Sequence, residues 1–405
     1  MKKSYLMIAA AAALFAACSS NDTFKETVAE QQAINFSTFT QKATRAENSS
    51  KDYTLNLEDH HLSFKVWGYK NTSATPVFDG EQVSYANSAW GYTNTRYWDK
   101  AATHYYYYAC APYDANTPFT FNGFVAAPAN ATTEQITASK NSQDDGYFTI
   151  TTSYNKAGDN ISPKNSTTAQ TTWKDAKTSG TDNATTDVDL MIADVCHLTG
   201  AQLTWGTVQL NFIHILSRLN VTLKYSDDFA TANTNNDIIT VNNITIGHMK
   251  NAGTFNENQT LTAGTTLASG TNERWTATGD NNYSYNIGYD VTDDANYVIE
   301  ALMIPQTAAL EEITLDGTKV IGGTEESPYL YINYTIWNFN KSKGETFEVY
   351  YNLATIFKIT GTGVLAFNEG WQNTLNITMD PKVITFDANV APWDDNEDED
   401  LVVIQ

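Results

Sequence analysis

The 405-residue sequence predicts an all-β protein: two tandem β-sandwich domains with short helical turns. Three observations lead there. Charged residues make up only 17% of the chain while aromatics reach 12%, with 23 Tyr and 9 Trp. That mixture suits strands, whereas helices draw on Ala, Leu, Glu and Lys. Apolar and polar residues alternate in short runs, and these runs fall into two successive sets separated by loops rich in Asn, Thr and Ser.

The N-terminus stands apart. Lys2 and Lys3 precede an apolar stretch, Leu6 to Ala17, that ends in Phe15-Ala16-Ala17-Cys18. A run this short reads as the core of a signal peptide, residues 1–17. The small residues before Cys18 resemble the lipobox of bacterial lipoproteins, in which the cysteine is lipidated and becomes the mature N-terminus. Phe15 stands where Leu is usual; a plain secretory signal with Cys18 incidental is the alternative. No later run of ~18 apolar residues follows.

Residues 19–33 are polar and read as a tether. Ile34, Phe36 and Thr38 then alternate with Asn35, Ser37 and Phe39 in a short strand. Lys42 to Ala46 and the polar residues after them form a basic loop open to a trypsin-like protease. Leu62 to Tyr69 alternates, with Leu62, Phe64, Val66 and Gly68 on one face. Tyr97-Trp98 and the tract Tyr105 to Tyr108 suggest two more strands. Four consecutive tyrosines make either a partly solvated aromatic surface or a strand covered on both sides. Residues 114–186 read as long loops around a few strands, and Asp187 to Val195 as a buried strand.

The expected domain boundary lies between residues 204 and 205. Val208 to Leu223 alternates at both ends, but Phe212, Ile215, Leu216 and Leu219 have helical spacing, so a strand, a tight helical turn and a second strand are expected. Strands follow at 241–246, 297–304, 328–337, 346–352 and 375–379. Asp394 to Asp400 is almost wholly acidic and extended by self-repulsion. Beyond it Leu401, Val402, Val403 and Ile404 are apolar, a costly segment to leave in water.

Charge and cysteines exclude several functions. The net charge of −22 makes nucleic acid an unsuitable partner, because phosphate recognition needs clustered Lys and Arg. Cys110 and Cys196 belong to no C-x-x-C pair, so no zinc or redox site is expected from them. Neither G-x-S-x-G, H-E-x-x-H nor a phosphate-binding glycine loop is present. His60-His61 read as a solvated turn and His214 as a core histidine. No enzyme, cofactor or metal is expected.

Several strings in order resemble the fimbrillin family of type V pili: LSFKVWGY at 62–69, RYW at 96–98, YYYYACAPY at 105–113 and DLMIAD at 189–194. LNFIHILSRLNVTLKY at 210–225 is the most specific, with IPQT at 304–307, Gly370-Trp371 and ITFDANVAPW at 384–393 after it. The resemblance implies transthyretin-like or Greek-key sandwiches at 46–204 and 205–382. Residues 18–45 become a removable leader carrying the strand of Ile34 and Phe36, and residues 383–405 a C-terminal strand segment. The precursor is implied to reach the outer membrane through lipid on Cys18, and an Arg-specific protease to cut Arg45-Ala46. The vacated groove then accepts a strand from another subunit, for which Leu401, Val402, Val403 and Ile404 are the candidates; a fold-back of that segment onto its own domain is the alternative. Expected partners are fimbrial subunits, the protease, the membrane and host or bacterial surface ligands. An anchor or tip adhesin, or a glycan-binding lipoprotein stacking sugars on Trp90, Trp98 and the tyrosine tract, are the competing readings.

Overall fold

The computed structural model describes residues 32–41, 63–71, 73, 75–113, 119–123, 146–153, 159–160, 189–258, 271–272, 274–278, 283–309, 315–316, 319–320, 328–357, 364–381 and 383–392. Strands are numbered in chain order. The chain is almost wholly β, as expected.

The first sheet contains β1 (Asn35–Gln41), β2 (Ser63–Lys70), β3 (Phe78–Ala86), β4 (Ala89–Gly91), β5 (His104–Ala111), β9 (Met191–Ala193), β10 (Cys196–Thr199) and β11 (Thr207–His214). Its order is β1-β11-β9-β5-β2-β3-β4, with β10 also paired to β5. The second sheet runs β15-β16-β14-β7-β6. It comprises β6 (Thr120–Asn122), β7 (Tyr147–Ser153), β14 (Ala252–Asn256), β15 (Thr271–Asn272) and β16 (Trp275–Thr278).

The third sheet, β18-β12-β25-β26, is built from β12 (Ser217–Tyr225), β18 (Asn296–Met303), β25 (Trp371–Met379) and β26 (Thr385–Pro392). The fourth, β23-β22-β13-β17-β8, takes β8 (Asp159–Asn160), β13 (Ile238–Gly247), β17 (Tyr283–Asp290), β22 (Tyr329–Trp337) and β23 (Gly344–Asn352). Two small ribbons pair β19 (Gln306–Ala309) with β24 (Val364–Phe367) and β20 (Leu315–Asp316) with β21 (Lys319–Val320). Among the described residues, two short α-helices and one 3-10 turn (Gly200–Gln202) complete the architecture: α1 (Asp227–Ala232), capped by the Ser226 hydroxyl accepting from Phe229 N–H, and α2 (Leu353–Ile356).

The tyrosine tract explains how the first sheet is used. Successive side chains of a strand point to opposite faces. Tyr105 and Tyr107 therefore enter a core with Phe64, Val66, Phe78, Val208, Leu210 and Phe212. Tyr106 and Tyr108 enter a second, larger core shared with Phe148, Phe255 and Trp275. All four rings are buried, so the tract is covered on both sides. Trp98 is buried too, and Trp90 packs on Phe64 and Tyr85. The competing reading of a sugar-stacking platform is thereby left without the exposed faces of the four tyrosines and Trp98.

The segment linking β11 to β12 also departs from expectation. Ile215 and Leu216 form a bend, with no helical turn between the strands. Ile215 N–H donates to Leu190 O (3.0 Å), its carbonyl accepts from Trp275 Nε1 (2.6 Å), and Leu216 O accepts from Gly370 N–H (2.8 Å). The chain leaves one sheet and enters another there, so each apolar residue meets a different wall. That corner mimics helical spacing. Among the described residues, strand pairing crosses the 204/205 position four times: β1 with β11, β9 with β11, β7 with β14 and β8 with β17.

Candidate functional site: the groove filled by the first strand

The leading strand follows its sequence pattern. Ile34, Phe36 and Thr38 are 0%, 6% and 2% exposed, while Asn35 between them faces solvent. Backbone pairing is parallel to β11, from Asn35 opposite Thr207 to Gln41 opposite Ile213.

Among the described residues, the opposite edge of the strand is bonded at its start. An isolated antiparallel bridge joins Ala33 to Tyr97, Ile34 N–H donates to Arg96 O (2.9 Å), and Trp98 N–H donates to Gln32 O (3.0 Å). The Tyr92 hydroxyl donates to Ile34 O at 2.7 Å. Arg96, fixed by Nε donating to Val77 O (3.1 Å), and Trp98, whose indole donates to Gly206 O (3.2 Å), hold this clamp in place. β1 is thus an end strand of the first sheet, tied at its start to the segment around Tyr92, Arg96 and Trp98. Beyond the bridge β1 pairs with no strand other than β11 among the described residues.

Phe36 fills an aromatic cage. Its ring meets Phe64, Phe78, Tyr92 and Tyr107 edge-on at centroid distances of 6.0, 5.3, 6.0 and 6.0 Å. Gly68 makes room for the floor: a Cβ there would come within 2.9 Å of Phe78 and 3.1 Å of Tyr107. Burying two side chains such as Ile34 and Phe36 stabilises by about 3–6 kcal/mol together. The Tyr107 hydroxyl is buried with no hydrogen-bond partner, and burial raises its pKa well above that of free tyrosine. An unmet buried hydroxyl costs about 1–3 kcal/mol.

At the far end of the same inward row, His214 is buried with Nδ1 at 2.9 Å from Asp189 Oδ2. It is a core histidine, paired and closed to solvent. Cys110 and Cys196 are both free thiols. Burial raises the Cys110 thiol far above its usual range and pushes Cys196 up to about 12. Neither is a reactive thiolate at neutral pH.

A cluster of half-buried charge gathers around Arg274. The Arg274 guanidinium bonds both carboxylate oxygens of Glu369, in the turn before β25. Nearby Glu257 accepts from Phe148 N–H at 2.9 Å. Burial raises the Glu257 carboxyl to about 7 against the pull of that hydrogen bond and of Arg274, with Asp194 and Glu369 raising it further.

Of the residues singled out in the sequence, Ile34 and Phe36 line the groove core. Cys18, Arg45, Ala46, His60, His61 and Leu401 to Ile404 lie outside the described residues. The clamp of Tyr92 and Arg96 was not legible in the sequence beyond the RYW string, nor was the meeting of His104 with His197.

Residues 128–393 match the fimbrillin-like family. The chain belongs to the fimbrillin-like family. Among solved structures, this chain is similar to a fimbrial protein of Bacteroides vulgatus at 16% identity, covering 89% of this chain and 99% of that one, with a TM-score of 0.47. It is also similar to proposed cell adhesion proteins of Bacteroides uniformis and Bacteroides ovatus, each at 14% identity over 90% of this chain and 98% of the other, with TM-scores of 0.44. No curated protein sequence matches it.

Proposed function

We propose that this fimbrillin is a polymerising structural subunit of a surface fimbrium, without enzymatic activity, assembled by strand exchange after its leader is removed. Lipid on Cys18 carries the precursor to the outer membrane; an Arg-specific protease cuts between Arg45 and Ala46; the strand containing Ile34 and Phe36 departs. The observation that carries this reading is the position of β1, an end strand paired with β11 and covering an aromatic core. Its departure leaves the β11 edge unpaired and the Phe36 cage open, and an incoming strand restores both hydrogen bonds and side chains. The two sandwich domains at 46–204 and 205–382 and the donor segment 383–405 are part of the same proposal.

Leu401, Val402, Val403 and Ile404 are the candidate donor. A second candidate is favoured by side-chain order. Ile384-Thr385-Phe386-Asp387-Ala388 repeats the aliphatic, aromatic and small inward residues of Ile34-Asn35-Phe36-Ser37-Thr38. In the monomer this segment enters β26, an edge strand paired along its length with β25 alone.

The test is cleavage of the full chain with a trypsin-like protease, beside a form ending before Leu401. Oligomers from the first and none from the second are expected. Oligomers from both shift the donor to β26, which a competing peptide of residues 383–392 then blocks. Absence of oligomers after complete cleavage at Arg45 sinks strand exchange, and persistent lipidated full-length protein on cells makes the subunit an anchor.

A further inference from the structure

We propose that His104 and His197 form a two-imidazole binding site for a divalent transition metal ion, with zinc as its expected occupant. The two residues lie on adjacent antiparallel strands, β5 and β10, where His197 sits opposite Tyr106 and His104 opposite Thr199. This diagonal brings His104 Nδ1 to 3.3 Å from His197 Nε2, with ring planes 21° apart and centroids separated by 5.5 Å.

The spacing selects a metal geometry. Zinc–nitrogen bonds of ~2.0–2.1 Å at a tetrahedral angle place two ligand nitrogens about 3.3–3.4 Å apart. A right angle between ligands, as in square-planar sites, requires about 2.9 Å. The histidine pair has the tetrahedral spacing. Without metal, one N–H lies between the two facing nitrogens; zinc binding requires the donor ring to carry its proton on its other nitrogen, so that both facing nitrogens offer lone pairs to the metal.

Both rings are positioned in advance. His197 lies flat on Tyr106, with centroids 4.4 Å apart and planes within 6°. The start of β5 is fixed by Asn71 Oδ1, which accepts from Thr103 N–H (2.7 Å) and His104 N–H (3.2 Å). Each histidine is half-buried. Among the described residues no group of three or more His, Cys, Asp or Glu stands together, and the site rests on two protein ligands. Cys196 packs toward the core beneath β1, opposite the face that carries His104 and Tyr106, and supplies no ligand. The chain's net charge of −22 concentrates cations around it. Because the pair lies on the face away from β1, it is independent of strand exchange.

The experiment uses the full chain without an affinity tag, stripped with chelator and titrated with zinc sulfate by calorimetry, then with cobalt(II) for its tetrahedral visible absorption. One equivalent of zinc and a thermal midpoint that climbs with zinc concentration are expected. His104→Gln and His197→Gln each weaken binding by at least about tenfold. A protein carrying His60→Gln and His61→Gln keeps the site. Wild-type protein without zinc-dependent stabilisation overturns the proposal, as does binding that survives in the His104→Gln/His197→Gln double variant. Near-UV circular dichroism of the variants confirms that the surrounding tyrosines remain packed.

Discussion

The first and last described strands carry the same inward order of side chains and live in different surroundings. β1 runs parallel to β11 at one end of its sheet and buries Ile34, Phe36 and Thr38 almost completely. β26 runs antiparallel to β25 at the rim of its sheet. There Ile384 is buried, Phe386 and Ala388 are only half-buried, and Val383 and Val390 are 59% and 38% exposed. Phe36 has four aromatic neighbours; Phe386 meets Tyr351, edge-on at 4.5 Å. Identical local patterns thus differ in what they stabilise, because burial and not alternation sets the energy. A strand of this pattern gains apolar burial by moving from the rim to the groove.

The largest expected effect breaks this comparison if it fails. Phe36→Ala empties a closed aromatic cage and should destabilise the uncleaved protein by about 3–5 kcal/mol in urea unfolding. Phe386→Ala removes a half-buried ring, with an expected loss of about 1–3 kcal/mol. Equal losses at the two positions would show that β1 and β26 are equivalent in the monomer.

A smaller effect concerns acid. Glu257 has its folded pKa raised from 4.5 to about 7, chiefly by burial. A carboxyl raised on folding binds more protons in the native state, so its destabilising contribution is absent below the unfolded pKa and grows as pH rises through the window up to about 7. Between pH 8 and pH 6 the wild type should gain about 1 kcal/mol relative to Glu257→Gln. The difference between Phe36→Ala and Phe386→Ala should not change over that range, since Glu257 lies away from both rings. A parallel pH response in the Gln variant would remove Glu257 as its source.

The smallest effect sharpens the description of the groove. Tyr107→Phe deletes the unmet hydroxyl beneath Phe36, and a gain of about 1 kcal/mol in the uncleaved protein is expected. A loss of stability on thermal unfolding would mean that the hydroxyl has a partner in solution, such as a bound water.

Much of the fold was legible because strand alternation is a local property. Ile34-Phe36-Thr38 and Phe64-Val66-Gly68 each declare an inward face through residues two apart, and the structure gives them one core. The corner at Ile215-Leu216 was misread because helical spacing and a sheet-to-sheet bend both place apolar residues three and four apart. The tyrosine tract could be read either way: period-two alternation says that neighbouring rings face opposite sides, not whether both sides are covered. His104 and His197 carried no local signal, since a cross-strand diagonal leaves no fixed spacing in the chain.

By itself, the sequence determined a strand-rich protein, the apolar face of its leading strand and the fimbrillin resemblance. These follow from composition and from contacts between residues close in the chain. Only the tertiary structure decided that β1 lies parallel to β11 over an aromatic core, that β26 is a rim strand, and that two histidines meet on neighbouring strands. Strand pairing joins segments far apart in sequence, and its register is set by which cores they fill together.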